Sequence, residues 1–170
     1  MTKSIDDLRE NLAMALRLIM ECLPDGDPYY AADIDADVAR FSEVYPTTWR
    51  ELERRGSVKL WASPGNRYDL TPDGWIEGLR ATGEFYGEET KEKAARLAAA
   101  LKARIKGRRQ DGWVHLTELP RETGLPEGWI FNAIDSHLVF YLFGCRDARW
   151  EHEEGKNLIH VPLDFGLPYF

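Results

Sequence analysis

Residues 46–74, PTTWRELERRGSVKLWASPGNRYDLTPDG, constrain this chain most, because a short charged helix there stops at a glycine and two apolar strands follow around a Gly turn. In TTWRELERR, Trp49 and Leu52 are three apart and share a face, while Thr47, Thr48, Arg50, Arg54 and Arg55 are read onto the other faces. One side can pack and the rest can touch a partner. Gly56 stands where a left-handed helix stop is expected. Val58, Leu60 and Trp61 then form a β-type run, and SPGN reverses the chain into Arg67, Tyr68, Asp69 and Leu70. Thr71 is placed to cap a further helix, with Pro72 at its first position.

Ahead of this stretch, Ile5, Leu8, Leu12, Ala15, Leu16, Ile19, Met20 and Leu23 recur at spacings of three and four. They predict an amphipathic helix capped by Ser4, serving as a scaffold or as a dimer helix. Ile34, Val38 and Phe41 predict a second helix over 33–42, and the Tyr45-Pro46 step makes a turn before the third.

The second half opens with an Ala, Lys, Glu and Arg helix over 88–106, in which Ala94, Leu97, Ala98, Leu101 and Ile105 form one stripe. A short strand at Trp113, Val114, His115 and Leu116 precedes a short helix, a tight turn through Gly124 and a helix over 127–137, the order of a helix-turn-helix. An apolar run over 138–143 and two strands, 148–151 and 158–161, close the chain as a second hairpin.

The combination Leu52-Glu53-Arg54-Arg55-Gly56, an apolar strand, and Tyr68-x-Leu70-Thr71-x-x-Gly74 resembles the winged helix-turn-helix domains of bacterial transcription regulators. The resemblance covers about the first half of the chain. With the second half, it implies a fold that is mainly α with small β-hairpins (α+β): two winged-helix-like units, 1–87 and 88–170, joined by a long helix. It further implies a regulator that reads double-stranded DNA with the helix at 47–55 and the wing at 57–70. Arg50 or Arg54 would reach guanine edges, and Thr47 or Thr48 would contact phosphate or a thymine methyl. Arg55 adds charge to that helix, Lys59 and Arg67 would meet the backbone from the wing, and Arg108 and Arg109 are candidates for additional phosphate contacts. The competing reading is a solvated helix face with Glu51 and Arg55 paired four apart, a contact worth only about 0.3 kcal/mol.

Charge limits the second half more than the first. The net charge of −7 disfavours a protein that coats nucleic acid without specificity. Residues 1–87 carry 10 Lys and Arg against 16 Asp and Glu, and 88–170 carry the remaining 12 against 13. The acid excess gathers at Asp25, Asp27, Asp33, Asp35, Asp37 and Glu43, which leaves the stretch from Arg50 to Arg67 comparatively basic. The helix over 127–137 offers Glu127, Asn132, Asp135, Ser136 and His137 and no Lys or Arg. That second unit therefore reads as a surface for a protein partner or a homodimer, and the aromatic end at Phe165, Leu167, Pro168, Tyr169 and Phe170 either packs back onto the core or docks to a partner. The alternative function is a non-enzymatic protein–protein interaction module, an adaptor or a subunit of a larger complex, built on tandem winged helices.

Catalytic and metal chemistry find little support. Asp33, Asp35 and Asp37 begin like a calcium loop, but the sixth position is Val38 and Glu43 falls one place early, so they read as a solvated helix face. His115, His137, His152 and His160 have no zinc-like spacing with Cys22 and Cys145. No Gly-rich phosphate loop, GxSxG elbow or HExxH is present. Both cysteines read as buried thiols, without a disulfide framework. With no apolar run near the roughly 20 residues that span a bilayer, the expectation is a cytoplasmic protein with no membrane partner, no enzymatic activity, no cofactor and no metal.

Overall fold

The computed structural model describes residues 5–21, 46–61, 67–153 and 156–168. The helix expected over 33–42, the Ser4 cap, Cys22, the turn at 62–66, and Tyr169 and Phe170 lie outside those residues. Among them the fold is mainly α with two small antiparallel sheets. The chain divides into two compact units, the first ending at Phe85 and the second continuing from Tyr86.

The first unit holds α1 (Ile5–Glu21), α2 (Pro46–Arg54), β1 (Val58–Trp61), β2 (Arg67–Leu70) and α3 (Pro72–Thr82). The α1 stripe is spent inside its own unit: Leu12, Ala15, Leu16 and Ile19 are buried together with Trp49 and Leu52 of α2 and Val58 of β1. Each leucine or isoleucine so taken out of water stabilises the unit by about 1.5–3 kcal/mol, so α1 is a scaffold helix. Arg17 Nε donates to the Ala81 carbonyl at 2.7 Å and ties α1 to the end of α3.

Helix α2 ends as its sequence requires. Gly56 has φ +74°, its N–H donates to the Glu53 carbonyl at 3.0 Å, and the Ser57 N–H reaches the Leu52 carbonyl at 2.9 Å. These two bonds close a Schellman motif, and only glycine enters it without strain. The chain then runs directly into β1, which pairs antiparallel with β2 in the register Val58↔Leu70, Lys59↔Asp69, Leu60↔Tyr68 and Trp61↔Arg67. Thr71 caps α3: its Oγ1 accepts from the Gly74 N–H at 3.0 Å and donates to the Gly56 carbonyl, while its own N–H donates to the Ser57 carbonyl at 3.1 Å. The end of α2, the base of the hairpin and the start of α3 are thus fastened at one point.

The second unit begins with α4 (Glu88–Ala103), continues through β3 (Gly112–His115) and a 3-10 turn over Leu116–Glu118, and adds α5 (Leu119–Thr123) and α6 (Glu127–Asp135). It closes with α7 (Leu138–Phe143), β4 (Arg149–Glu153) and β5 (Lys156–Val161). The sheet order is β3-β5-β4, all antiparallel, with Val114↔Ile159 and Trp150↔Ile159 in register on one face. Ala94, Leu97 and Leu101 of α4 are buried, so α4 is the first core helix of this unit as well as the segment that follows the first one. The apolar run at 138–143 is a helix. It is set off from α6 by His137, which has φ +56° and is the one non-glycine residue at positive φ among the described residues. Ser136, expected on the exposed face of α6, is buried and caps that helix. After β5 the chain folds back: Phe165 is buried, and the Arg146 N–H donates to the Leu167 carbonyl at 3.0 Å.

Candidate nucleic-acid interface

Helix α2 divides cleanly into two faces. Thr48, Trp49 and Leu52 are buried, whereas Pro46, Thr47, Arg50, Glu53, Arg54 and Arg55 are exposed. Thr48 therefore does not belong to the interface. It sits four residues before Leu52, on the row of side chains that faces the core, and at 1 % exposure it can touch neither phosphate nor base. Thr47, Arg50 and Arg54 instead recur at three- and four-residue steps and make one outward stripe.

Electrostatics modify that stripe. Glu51, at its edge, receives Nε of Arg54 at 2.8 Å, Nη2 of Arg54 at 2.7 Å and Nε of Arg55 at 2.8 Å. Hydrogen bonds from Arg54 and then from Arg55 lower the Glu51 carboxyl from 4.5 to about 2, and the same contact raises the Arg54 guanidinium. Two of the five N–H donors of Arg54 and one of those of Arg55 are occupied in this way, leaving the others free to address phosphate oxygens. Residues 50–59 hold four cations, Arg50, Arg54, Arg55 and Lys59, against two carboxylates, Glu51 and Glu53, a formal balance of +2 in a chain whose total is −7, and Asp69 stands opposite Lys59 in the hairpin register. The Arg55 contact followed from spacing alone. The bidentate Arg54 contact had the same kind of signal, the (i, i+3) step, and sequence reading passed over it.

Lys59 is exposed on β1 next to the buried Val58, as strand alternation demands. Arg67 lies opposite Trp61 in β2, and its side chain is outside the described residues. Arg108 and Arg109 are exposed in the turn between α4 and β3, so they belong to the second unit and not to the α2 stripe. Within that unit they precede Gly112, which pairs with Val161 at the end of β5 remote from the 154–155 connection. They lie at the opposite end of the sheet from a wing tip.

No protein-family model, curated protein or solved structure matches the chain. The arrangement must be read on its own chemistry. Among the described residues no group of three or more His, Cys, Asp or Glu could hold a metal ion, and no helix is long and apolar enough to cross a membrane. The second unit offers α6 with Glu127, Asn132 and Asp135 half-buried and no base. Its outer sheet face carries a feature the sequence did not disclose. The His160 Nε2 lies 2.8 Å from Asp111 Oδ2, Asp111 Oδ1 accepts the Leu163 N–H at 2.9 Å, and the Trp113 ring lies 4.8 Å from the imidazole. The Leu163 N–H, followed by His160, holds the Asp111 carboxyl below its ordinary range. With the partners 49 positions apart in sequence, no local pattern could announce the pair. Through His160 and the Leu163 N–H, Asp111 fastens β5 and the segment after it to the segment before β3, which is structural work.

Proposed function

We propose that this protein binds double-stranded DNA through its first unit, as a non-enzymatic regulator that acts in the cytoplasm. In this reading both units are winged helices, α2 is the reading helix and the β1-β2 hairpin is the wing. The observation that carries it is the split of α2: a buried stripe of Thr48, Trp49 and Leu52 stands opposite an exposed stripe of Thr47, Arg50 and Arg54, and a rigidly fastened hairpin bearing Lys59 follows at once. A helix held by one face and basic on the other can enter a major groove about 12 Å wide, with the hairpin along the adjoining backbone. The order helix, strand, three helices and hairpin, with the first strand beside the last, is that of a winged helix with α7 added before its hairpin, and it supports that reading of the second unit. The absence of any base from α6 gives that unit a different task.

Titration of a labelled duplex by fluorescence anisotropy across a salt series tests the reading. If Arg50, Arg54, Arg55 and Lys59 each neutralise a phosphate, log K falls against log salt with a slope approaching about −3.6, reduced toward about −2.7 by Glu51. Arg50→Ala flattens the slope by about 0.9. A salt-independent affinity, or one unchanged in Arg50→Ala and Arg54→Ala, overturns the proposal. The second reading, an interaction module without DNA, is favoured by the base-free α6, and it gains if folded wild-type protein shows no duplex affinity at low salt.

A further inference from the structure

Helix α4 carries an exposed stripe on the side away from its buried residues. Glu88, Glu92, Ala95, Ala99, Lys102 and Lys106 follow one another at steps of four, three, four, three and four, and all six are exposed. This is the spacing of a seam between two helices, lying opposite the buried Leu97 and Leu101. The stripe is acidic at its start, small and apolar at its middle and basic at its end. Its positions are symmetric about residue 97: 92 mirrors 102, 95 mirrors 99, and 88 mirrors 106.

We infer that α4 is the contact of a homodimer, in which two copies of this helix lie antiparallel across a twofold axis at the level of Leu97. A twofold axis demands a surface complementary to itself, and this pattern meets the demand. The antiparallel arrangement sets Glu92 of each copy against Lys102 of the other and Ala95 against Ala99. The outer pair joins Glu88 to Lys106, just past the end of α4. A parallel arrangement would set Glu92 on Glu92 and Lys102 on Lys102 and is repelled. The alanines let the helix axes approach to about 8 Å, the close end of the usual range. Glu92 and Lys102 have no ion-pair partner within the described residues, whereas Glu88 already holds Lys91 at 3.3 Å, so the inner pair carries most of the selectivity.

A neighbouring surface extends the contact. Ala98, Ala99 and Lys102 form one wall of an apolar groove of about 270 Å³, whose other wall includes Phe143, Cys145 and Phe165. Phe143 is 46 % exposed. Under the same axis the level of Ala99 and Lys102 faces residues 92–95 of the second copy, so the partner helix lies along this groove and shields Phe143. The mirror pattern commits the occupant to a second copy of the chain, since a different protein would have no reason to match an image of this helix.

Sedimentation equilibrium over a dilution series tests the inference, independently of DNA binding. The wild-type chain is expected in monomer–dimer exchange that weakens with salt. Glu92→Lys and Lys102→Glu, both on the surface and checked for native circular dichroism, each raise the dimer dissociation constant by roughly tenfold or more, since the axis turns each reversal into two repulsive contacts. Mixing the two single variants restores a 1:1 dimer. The lysine introduced in one chain then meets the glutamate introduced in the other, and the unaltered Glu92 of the second chain meets the unaltered Lys102 of the first. The double variant E92K/K102E restores self-association. A wild-type chain that stays monomeric at every concentration overturns the inference, as do single reversals that leave the dissociation constant unchanged or a mixture that stays monomeric.

Discussion

Gly74→Ala separates local preference from packing, because the two predict opposite signs. Gly74 is the third residue of α3, where exchanging glycine for alanine ordinarily stabilises a helix by up to about 1 kcal/mol. Here a Cβ would lie 1.8 Å from the Ser57 carbonyl oxygen and 2.7 Å from its carbon, both backbone atoms held by the hairpin. Relief requires α3 to retreat by well over an ångström. That movement strains the bonds from the Thr71 N–H to the Ser57 carbonyl at 3.1 Å and from the Gly74 N–H to Thr71 Oγ1 at 3.0 Å. Two bonds at about 1 kcal/mol each, with an overpacking cost of about 1–3 kcal/mol and the propensity gain subtracted, leave a net loss of about 2–4 kcal/mol. For a unit of this size the melting temperature falls by roughly 10–20 °C. Thermal unfolding of the full chain measures the loss, and hydrogen exchange at the Thr71, Gly74 and Trp75 amides locates it. An alanine variant as stable as the wild type, with those amides equally protected, would refute the close approach of α3 to the hairpin base.

Four further outcomes follow from the charges and the buried thiol. Glu51→Gln frees the Arg54 and Arg55 donors, so the salt slope of duplex binding steepens by about 0.9 and affinity at 0.1 M salt rises roughly eightfold; anisotropy titrations with an unchanged slope would contradict it. Because folding lowers the Glu51 pKa from 4.5 to about 2, its stabilising contribution is present above 4.5 and is lost as pH falls toward 2. Acid unfolding curves of Glu51→Gln should lack that component. His137 Nδ1 stands 3.7 Å from the nearly buried Asp147 carboxylate, which raises the imidazole above 6.5 against the lowering effect of burial. This contribution is whole below 6.5 and disappears as pH rises through the raised folded value. Urea midpoints of wild type and His137→Gln should therefore converge on the alkaline side, and a gap that widens there would be contrary. Burial, with Asp147 adding to it, pushes the Cys145 thiol up, so Cys145 in a Cys22→Ser variant should react slowly with a thiol reagent near neutral pH and quickly in denaturant. Equal rates in the two conditions would show the thiol to be accessible.

The legible parts of the chain were those whose causes are local. Gly56 stops α2 by its own φ, Thr71 caps α3 through an oxygen three residues from its target, and the alternation around Val58 sets which side of β1 faces out. Thr48 was misplaced because a threonine beside an arginine-bearing face reads as polar, whereas it shares the row of the buried Leu52, four residues on, and follows that row into the core. Helix α7 was hidden because its boundaries are two left-handed residues, His137 and Gly144, and not a run of turn-forming residues. The Asp111–His160 contact joins segments far apart in sequence, which no periodicity can reveal. Within the candidate interface, Arg50 and Lys59 stand exposed as expected, and the hold of Glu51 on two arginines was half visible.

In the second unit the middle strand of the sheet is also the last of its three to be synthesised. Among the described residues, β3 and β4 each pair with β5 alone. While the chain emerges from the ribosome, two strands with bare edges must wait for a segment that arrives more than 40 residues after the first of them, and a closing distance of that length slows folding. An exposed edge is an aggregation hazard for as long as it stays open. A delay in the arrival of β5 therefore falls mainly on β3, since β4 ends three positions before β5 begins.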